Sequence, residues 1–223
     1  MKTLSKSTQR GYSLIELSIA LAIVGVVIAG SIVGVQAILT SNNVNKTIKQ
    51  SNSALGKIIA KLVRDSDYSN ANLQTLTARG FDVWQDTDIK DPGLVGASVT
   101  HYLGGNVYVK PVLNNDTTEK QSYGISDNQG LIYTLSGVPV GGCADLAGGL
   151  DGLATAMSIK NETATAATSG TATNQWLVPG NVVKDNKPNG VRFTSTNVNN
   201  KCNGDGVSAA VGTATIAFLV QRR

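Results

Sequence analysis

Apolar residues run from Leu17 to Leu39 with only Ser18, Ser31 and Gln36 as polar interruptions, and then thin to a regular stripe. The stripe is Val44, Ile48, Leu55, Ile58, Ile59, Leu62 and Val63, at helical steps of three and four. Lys46, Lys49 and Lys57 fall between its members, and no proline or strong stop occurs before the Asp65–Tyr68 region. The pattern predicts one helix from about Tyr12 to Arg64, roughly 80 Å long at 1.5 Å per residue. Its first part, 12–39, is apolar all round and long enough to cross a bilayer, for which about 20 residues suffice. Its second part carries a single apolar stripe, which suits a helix packed on a globular head.

Residues 65–223 change character, becoming rich in Gly, Asn, Thr, Ser and Ala with scattered charge. At about 160 residues this part can form one domain with a modest core. Short runs of Val, Ile, Tyr and Phe broken by Gly and Asn predict an antiparallel sheet, with strands at Asn106–Pro111, Ser122–Ser126, Leu131–Leu135, Gly190–Thr196 and Thr213–Val220. The Ala/Thr/Ser/Gly stretch Asn161–Asn174 reads as an exposed loop. The expected class is α+β, a long amino-terminal helix on an antiparallel sheet.

One charge conflicts with the apolar run. Glu16 stands at its mouth, where a carboxylate costs several kcal/mol in lipid unless a partner compensates it. Before it come Lys2, Lys6 and Arg10, with no acid among the first eleven residues, so the positive-inside rule keeps this end in the cytoplasm. An ordinary secretory signal has a shorter apolar stretch and no acid in this place. Two small-xxx-small steps follow, Gly25 with Ala29 and Gly30 with Gly34. Steps of this kind let membrane helices approach closely, so Gly25, Ala29, Gly30 and Gly34 are the expected helix-packing positions.

The order basic leader, Gly11-Tyr12-Ser13-Leu14-Ile15-Glu16, apolar run resembles the signature of type IV prepilins. Gly104-Gly105-Asn106-Val107-Tyr108-Val109-Lys110-Pro111 resembles the Gly-Gly turn that enters the first sheet strand of type IVb pilins, and Leu135–Pro139 followed by Cys143 resembles their approach to a first cysteine. The resemblance implies the pilin fold and a leader, 1–11, removed by a prepilin peptidase between Gly11 and Tyr12. It implies amino-methylation of Tyr12, and a filament in which Glu16 of one subunit meets the Tyr12 amine of the next. Pairing would stabilise two charges that are each costly alone in lipid. Further implied partners are an assembly ATPase, a platform protein and a secretin. The precursor would span the inner membrane once with a periplasmic head, and the mature homo-oligomer would be an extracellular pilus for adhesion, aggregation or conjugation.

Cys143 and Cys202 are the only cysteines. An exported head meets an oxidising compartment, where two thiols form a disulfide. Closing a loop of about 60 residues stabilises by about 4 kcal/mol in the chain-entropy description. By resemblance, 143–202 is the disulfide-bounded region at the exposed, variable edge, where surface identity, adhesion and antigenicity would reside.

Charge and chemistry narrow the remaining readings. Loss of Lys2, Lys6 and Arg10 brings 19 basic residues to 16 against 15 acidic, so no basic stripe for nucleic acid stands out. A single histidine, His101, cannot build a multi-histidine metal site and is expected on a loop or beside the sheet. Asp82, Asp86, Asp88 and Asp91 lack calcium-loop spacing. No catalytic set, metal site or cofactor motif is expected, and the chain reads as a structural subunit, not an enzyme. Alternatives are a minor pilin, a secretion-system pseudopilin, or a membrane-tethered binding protein or enzyme with an uncut leader.

Overall fold

The computed structural model describes residues 13–62, 68–78, 82–94, 96–112, 125–162, 179–188, 190–204 and 212–221. The chain divides into two units, Met1–Leu39 and Thr40–Arg223. Helix α1, Leu14–Leu62, contributes to both. Its predicted last two residues, Val63 and Arg64, lie outside the described residues.

In the second unit the helical stripe becomes a buried seam. Val44, Thr47, Ser51, Ala54, Leu55, Ile58 and Leu62 are buried, all on one face of α1. The apolar members, Val44, Ala54, Leu55, Ile58 and Leu62, join one core with Leu131, Tyr133 and Leu135 of strand β4 (Gly130–Pro139) and Ile216, Phe218 and Val220 of β7 (Thr213–Gln221). The alternate residues of the same strands, Ile132 and Leu219, face the other way into a smaller cluster with Val112, Ile125 and Ala156. Both central strands are thus covered on two faces, and so read as continuous apolar runs.

Among the described residues the sheet has seven strands in the order β1-β2-β3-β4-β7-β5-β6, antiparallel throughout. The others are β1 (Ile89–Lys90), β2 (Ser98–Thr100), β3 (Asn106–Pro111), β5 (Ala156–Glu162) and β6 (Val182–Asp185). Tyr133 and Phe218 pair across β4 and β7 with ring centroids 5.2 Å apart. Burial pushes the Tyr133 phenol up to about 12, against the opposing pull of the Ser51 and Trp84 side chains beside it. Among the described residues three further α-helices belong to this unit: α2 (Leu73–Leu76), α3 (Val140–Leu150) and α4 (Ser195–Cys202).

The α+β expectation holds, with corrections in detail. Gly190–Thr196 is not a strand: 190–194 is irregular and α4 begins at Ser195, where the Thr194 hydroxyl accepts from Asn197 N–H at 3.2 Å. Val191 and Phe193 give the segment a strand's alternation, but among the described residues it joins no sheet ladder beyond the single hydrogen bond from Asp185 N–H to Val191 O at 2.8 Å, and Val191 is exposed. The Gly104–Gly105 turn enters β3, the third strand in chain order and not the first. Ile125 and Ser126 are not in a strand, and 122–124 lie outside the described residues. Asn161 and Glu162 belong to β5, paired with Ala214 and Thr213, whereas 163–174 also lie outside.

Candidate functional site

The first turn of α1 is closed by its own side chains. Ser13 N–H donates to Glu16 Oε2 at 3.2 Å, one half of a capping box, and the Ser13 carbonyl accepts from Leu17 N–H. The Ser-x-x-Glu spacing could have announced this cap. Glu16 therefore acts locally before any partner is considered. The two serines of the run also satisfy themselves: Ser18 Oγ donates to Ile15 O at 2.8 Å and Ser31 Oγ to Val27 O at 2.7 Å. Helical self-satisfaction of this kind is what lipid demands of a polar group.

Every large apolar side chain from Leu14 to Leu39 is exposed within the chain, Leu14 at 88% and the least exposed still above half. This stretch has the length and composition to cross a membrane. The four expected packing positions share that exposure: Gly25, Ala29, Gly30 and Gly34 are all open, and none is packed within the chain. A Cβ added to Gly25, Gly30 or Gly34 would meet nothing within 4 Å, so no internal contact requires a glycine there. Ala29 is no different, since its methyl group lies on the same uncovered surface. At 100° per residue, the step from Gly25 to Ala29 and the step from Gly30 to Gly34 lie on faces about 140° apart. The helix thus offers small-residue surfaces in two directions. Gly11 and Tyr12, the expected cleavage and methylation positions, lie outside the described residues.

In the second unit, close approach does require glycine. A Cβ on Gly142 would come within 2.9 Å of Val44 Cγ2, and one on Gly149 would run into Ile48. These two glycines, seven apart, form the face of α3 that lies on α1, while Gly141 and Gly148 face open space. On its other side α3 is joined to α4 by the Cys143–Cys202 disulfide, Cα atoms 5.9 Å apart. Asn161 Nδ2 donates to Cys202 O at 2.8 Å and ties α4 to β5. Lys184 of β6 pairs with Asp151 at 2.9 Å, the lysine side chain largely buried, and holds the edge strand to the end of α3. The described part of the disulfide-bounded region is therefore a braced edge of α3, β5, β6 and α4.

His101 is buried, in the turn between β2 and β3. Its Nε2–H donates to Ser136 O at 2.8 Å and its Nδ1 accepts from Leu103 N–H at 3.2 Å. Both nitrogens are satisfied only in the neutral ring. Burial lowers its pKa, the hydrogen bond to Ser136 opposing in part. Gly105 explains the double glycine: a Cβ there would strike the Ser136 carbonyl and the His101 ring. Among the described residues, no three His, Cys, Asp or Glu side chains stand together as a metal site.

Comparison with known proteins agrees with this arrangement. Residues 6–32 match the prokaryotic N-terminal methylation motif. No curated protein matches the chain. Among solved structures, the type IVb pilin of Salmonella typhi is 16% identical, with a TM-score of 0.51 over 80% of this chain and 99% of that one. TcpA, a type IV pilin of the Vibrio cholerae El Tor biotype, is also 16% identical, with a TM-score of 0.47 over 80% and 98%. A prokaryotic N-terminal methylation motif thus opens an exposed apolar helix, and the disulfide-braced head that follows has the fold of the type IVb pilin of Salmonella typhi.

Proposed function

We propose that this chain is the precursor of a type IVb-like pilus subunit. A prepilin peptidase cuts it between Gly11 and Tyr12, the new amine is methylated, and copies polymerise through 12–39 into an extracellular filament. The observation that carries this reading is the fully exposed apolar half of α1 with one acid in its first turn. Such a surface must be covered, first by lipid and then by other copies of itself.

In the filament, the Tyr12 ammonium of one copy approaches Glu16 of the next. Glu16 already holds Ser13 N–H through Oε2. Its carboxylate has further acceptor positions, so cap and partner can be served together. The two small-residue faces, one of Gly25 and Ala29 and one of Gly30 and Gly34, suit a helix with neighbours on more than one side. An ATPase, a platform protein and a secretin supply energy and passage, and the 143–202 edge faces outward for adhesion or aggregation.

The test is mass spectrometry of the mature amino terminus, in wild type and Glu16→Ala, with sheared filaments examined alongside. A methylated Tyr12 terminus, with filaments lost in the variant but cleavage retained, is the expected result. An intact Met1 terminus or cleavage beyond the apolar run returns the chain to the membrane-tethered class.

A further inference from the structure

Three lysines of α1 that the filament reading leaves unused border a cleft of about 300 Å³ on the head. Lys46, Lys49, Ser53 and Lys57 lie on one face of the helix, within an arc of about 80° at 100° per residue. The opposite wall is the segment Val83–Asp88 together with Tyr102. Two hydrogen-bonded staples hold the walls apart at a fixed width. At one end Lys57 Nζ donates to Asp82 O at 2.8 Å. At the other, Gln50 Nε2 donates to Asp88 Oδ2 at 2.9 Å and to Thr100 O at 3.1 Å.

Along the cleft the charge is unbalanced. Asp88 is the single acid in the lining, and Gln50 already engages it. Neither Lys46 nor Lys49 forms an ion pair among the described residues. Lys46 instead lies over the Tyr102 ring, 5.7 Å from its centroid. The cleft thus combines two ammonium groups without acids, hydroxyl and amide groups from Ser53 and Gln85, and apolar wall from Trp84 and Tyr102. A bare anion would use the lysines alone. A neutral sugar would use the hydroxyl, the amide and the aromatic wall but leave the charge idle.

We propose that this cleft binds one acidic sugar unit, a carboxylated hexose such as a uronic acid, as free sugar or as a unit of an anionic polysaccharide. The carboxylate pairs with Lys49 and Lys46, the ring hydroxyls meet Ser53 and Gln85, and the ring lies along Tyr102. The assignment does not depend on polymerisation, so filament loss and ligand loss are separable outcomes.

The test is saturation-transfer NMR on the full chain in neutral-headgroup detergent, titrated with glucuronate. Glucose, sodium sulfate and hexaglutamate are the comparison probes, and oligo-glucuronate separates polysaccharide from free sugar. The expected result is glucuronate binding at least about tenfold tighter than glucose, reduced about tenfold when Lys46→Gln and Lys49→Gln are combined. Lys49→Arg should retain binding. These lysines border the cleft rather than the core, and an unchanged head melting temperature shows that their loss leaves the fold intact. Equal binding of glucose, equal binding by the double variant, or absence of glucuronate binding overturns the proposal. Sulfate binding as tightly as glucuronate reduces the cleft to a simple anion site, and hexaglutamate binding alone assigns it to a protein partner; either result overturns the sugar assignment.

Discussion

Helix α1 holds two solutions to one problem in a single element. From Leu14 to Leu39 its large apolar side chains are all exposed within the chain, whereas from Val44 to Leu62 seven residues on one face are buried in the head. The second half obeys the ordinary rule of a soluble amphipathic helix, in which tertiary packing of one face supplies most of the stability. The first half has no such face among the described residues. Small residues mark the same division. Gly142 and Gly149 are small because α1 lies against them, whereas Gly25, Gly30 and Gly34 are small with nothing beside them.

Substitutions that break one half and spare the other sharpen this comparison. Replacing both cysteines, Cys143→Ser with Cys202→Ser, should cost the head about 4 kcal/mol, read as a fall in its denaturation midpoint. The apolar half should keep its membrane insertion. Ile58→Ala, at a fully buried site, should cost about 2–5 kcal/mol. Ile28→Ala, at a site 55% exposed, should change head stability by less than about 0.5 kcal/mol. Equal effects would mean that the two halves are not energetically distinct. Gly142→Val should cost about 1–3 kcal/mol by overpacking Val44. Gly30→Val and Ala29→Leu should leave head melting unchanged and, on the filament reading, reduce filament yield.

The smallest expected effect is a pH dependence confined to the head. His101 has a folded pKa below its ordinary 6.5, mainly through burial. As pH falls, the unfolded chain takes up this proton before the folded one does. Stability is therefore full above about 6.5 and declines as pH drops through the lowered folded value. His101→Gln should remove that part of the slope, and chemical denaturation at a series of pH values measures it.

The sequence revealed those parts whose residues carry a local signal. β3 and β7 were readable because Val, Ile, Tyr and Phe run between turn residues, and the α1 seam because its spacing is helical. β4 was found only as Leu131–Leu135. It continues to Pro139 past a register irregularity between Leu135 and Val138, where Gly137 takes a φ of 68°. α3 was invisible because VGGCADLAGGL holds four glycines, a poor helix by propensity, and becomes a helix through packing on α1 and the link to α4. β5 was missed because AMSIKNE is weakly apolar and owes its strand to pairing with β7 on one side and β6 on the other. At the candidate site, the acid Glu16 and the small residues Gly25, Ala29, Gly30 and Gly34 were legible from spacing. The cleft beside Trp84 was not, because Lys57–Asp82 and Gln50–Asp88 join segments far apart in sequence.

The strand order has a consequence for the timing of folding. β7 comes after every other described strand in the chain, yet it lies between β4 and β5 near the middle of the sheet. Until Thr213–Gln221 arrives, β4 has β3 on one flank only, and β5 has only β6. A chain emerging amino terminus first can anchor its apolar helix long before the sheet can close. During that interval β4 and β5 each present an open edge, the kind of surface that invites wrong partners. Such late, non-local closure predicts slow folding for a domain of this size. Loss of β7 would leave two half-sheets rather than a slightly shorter one.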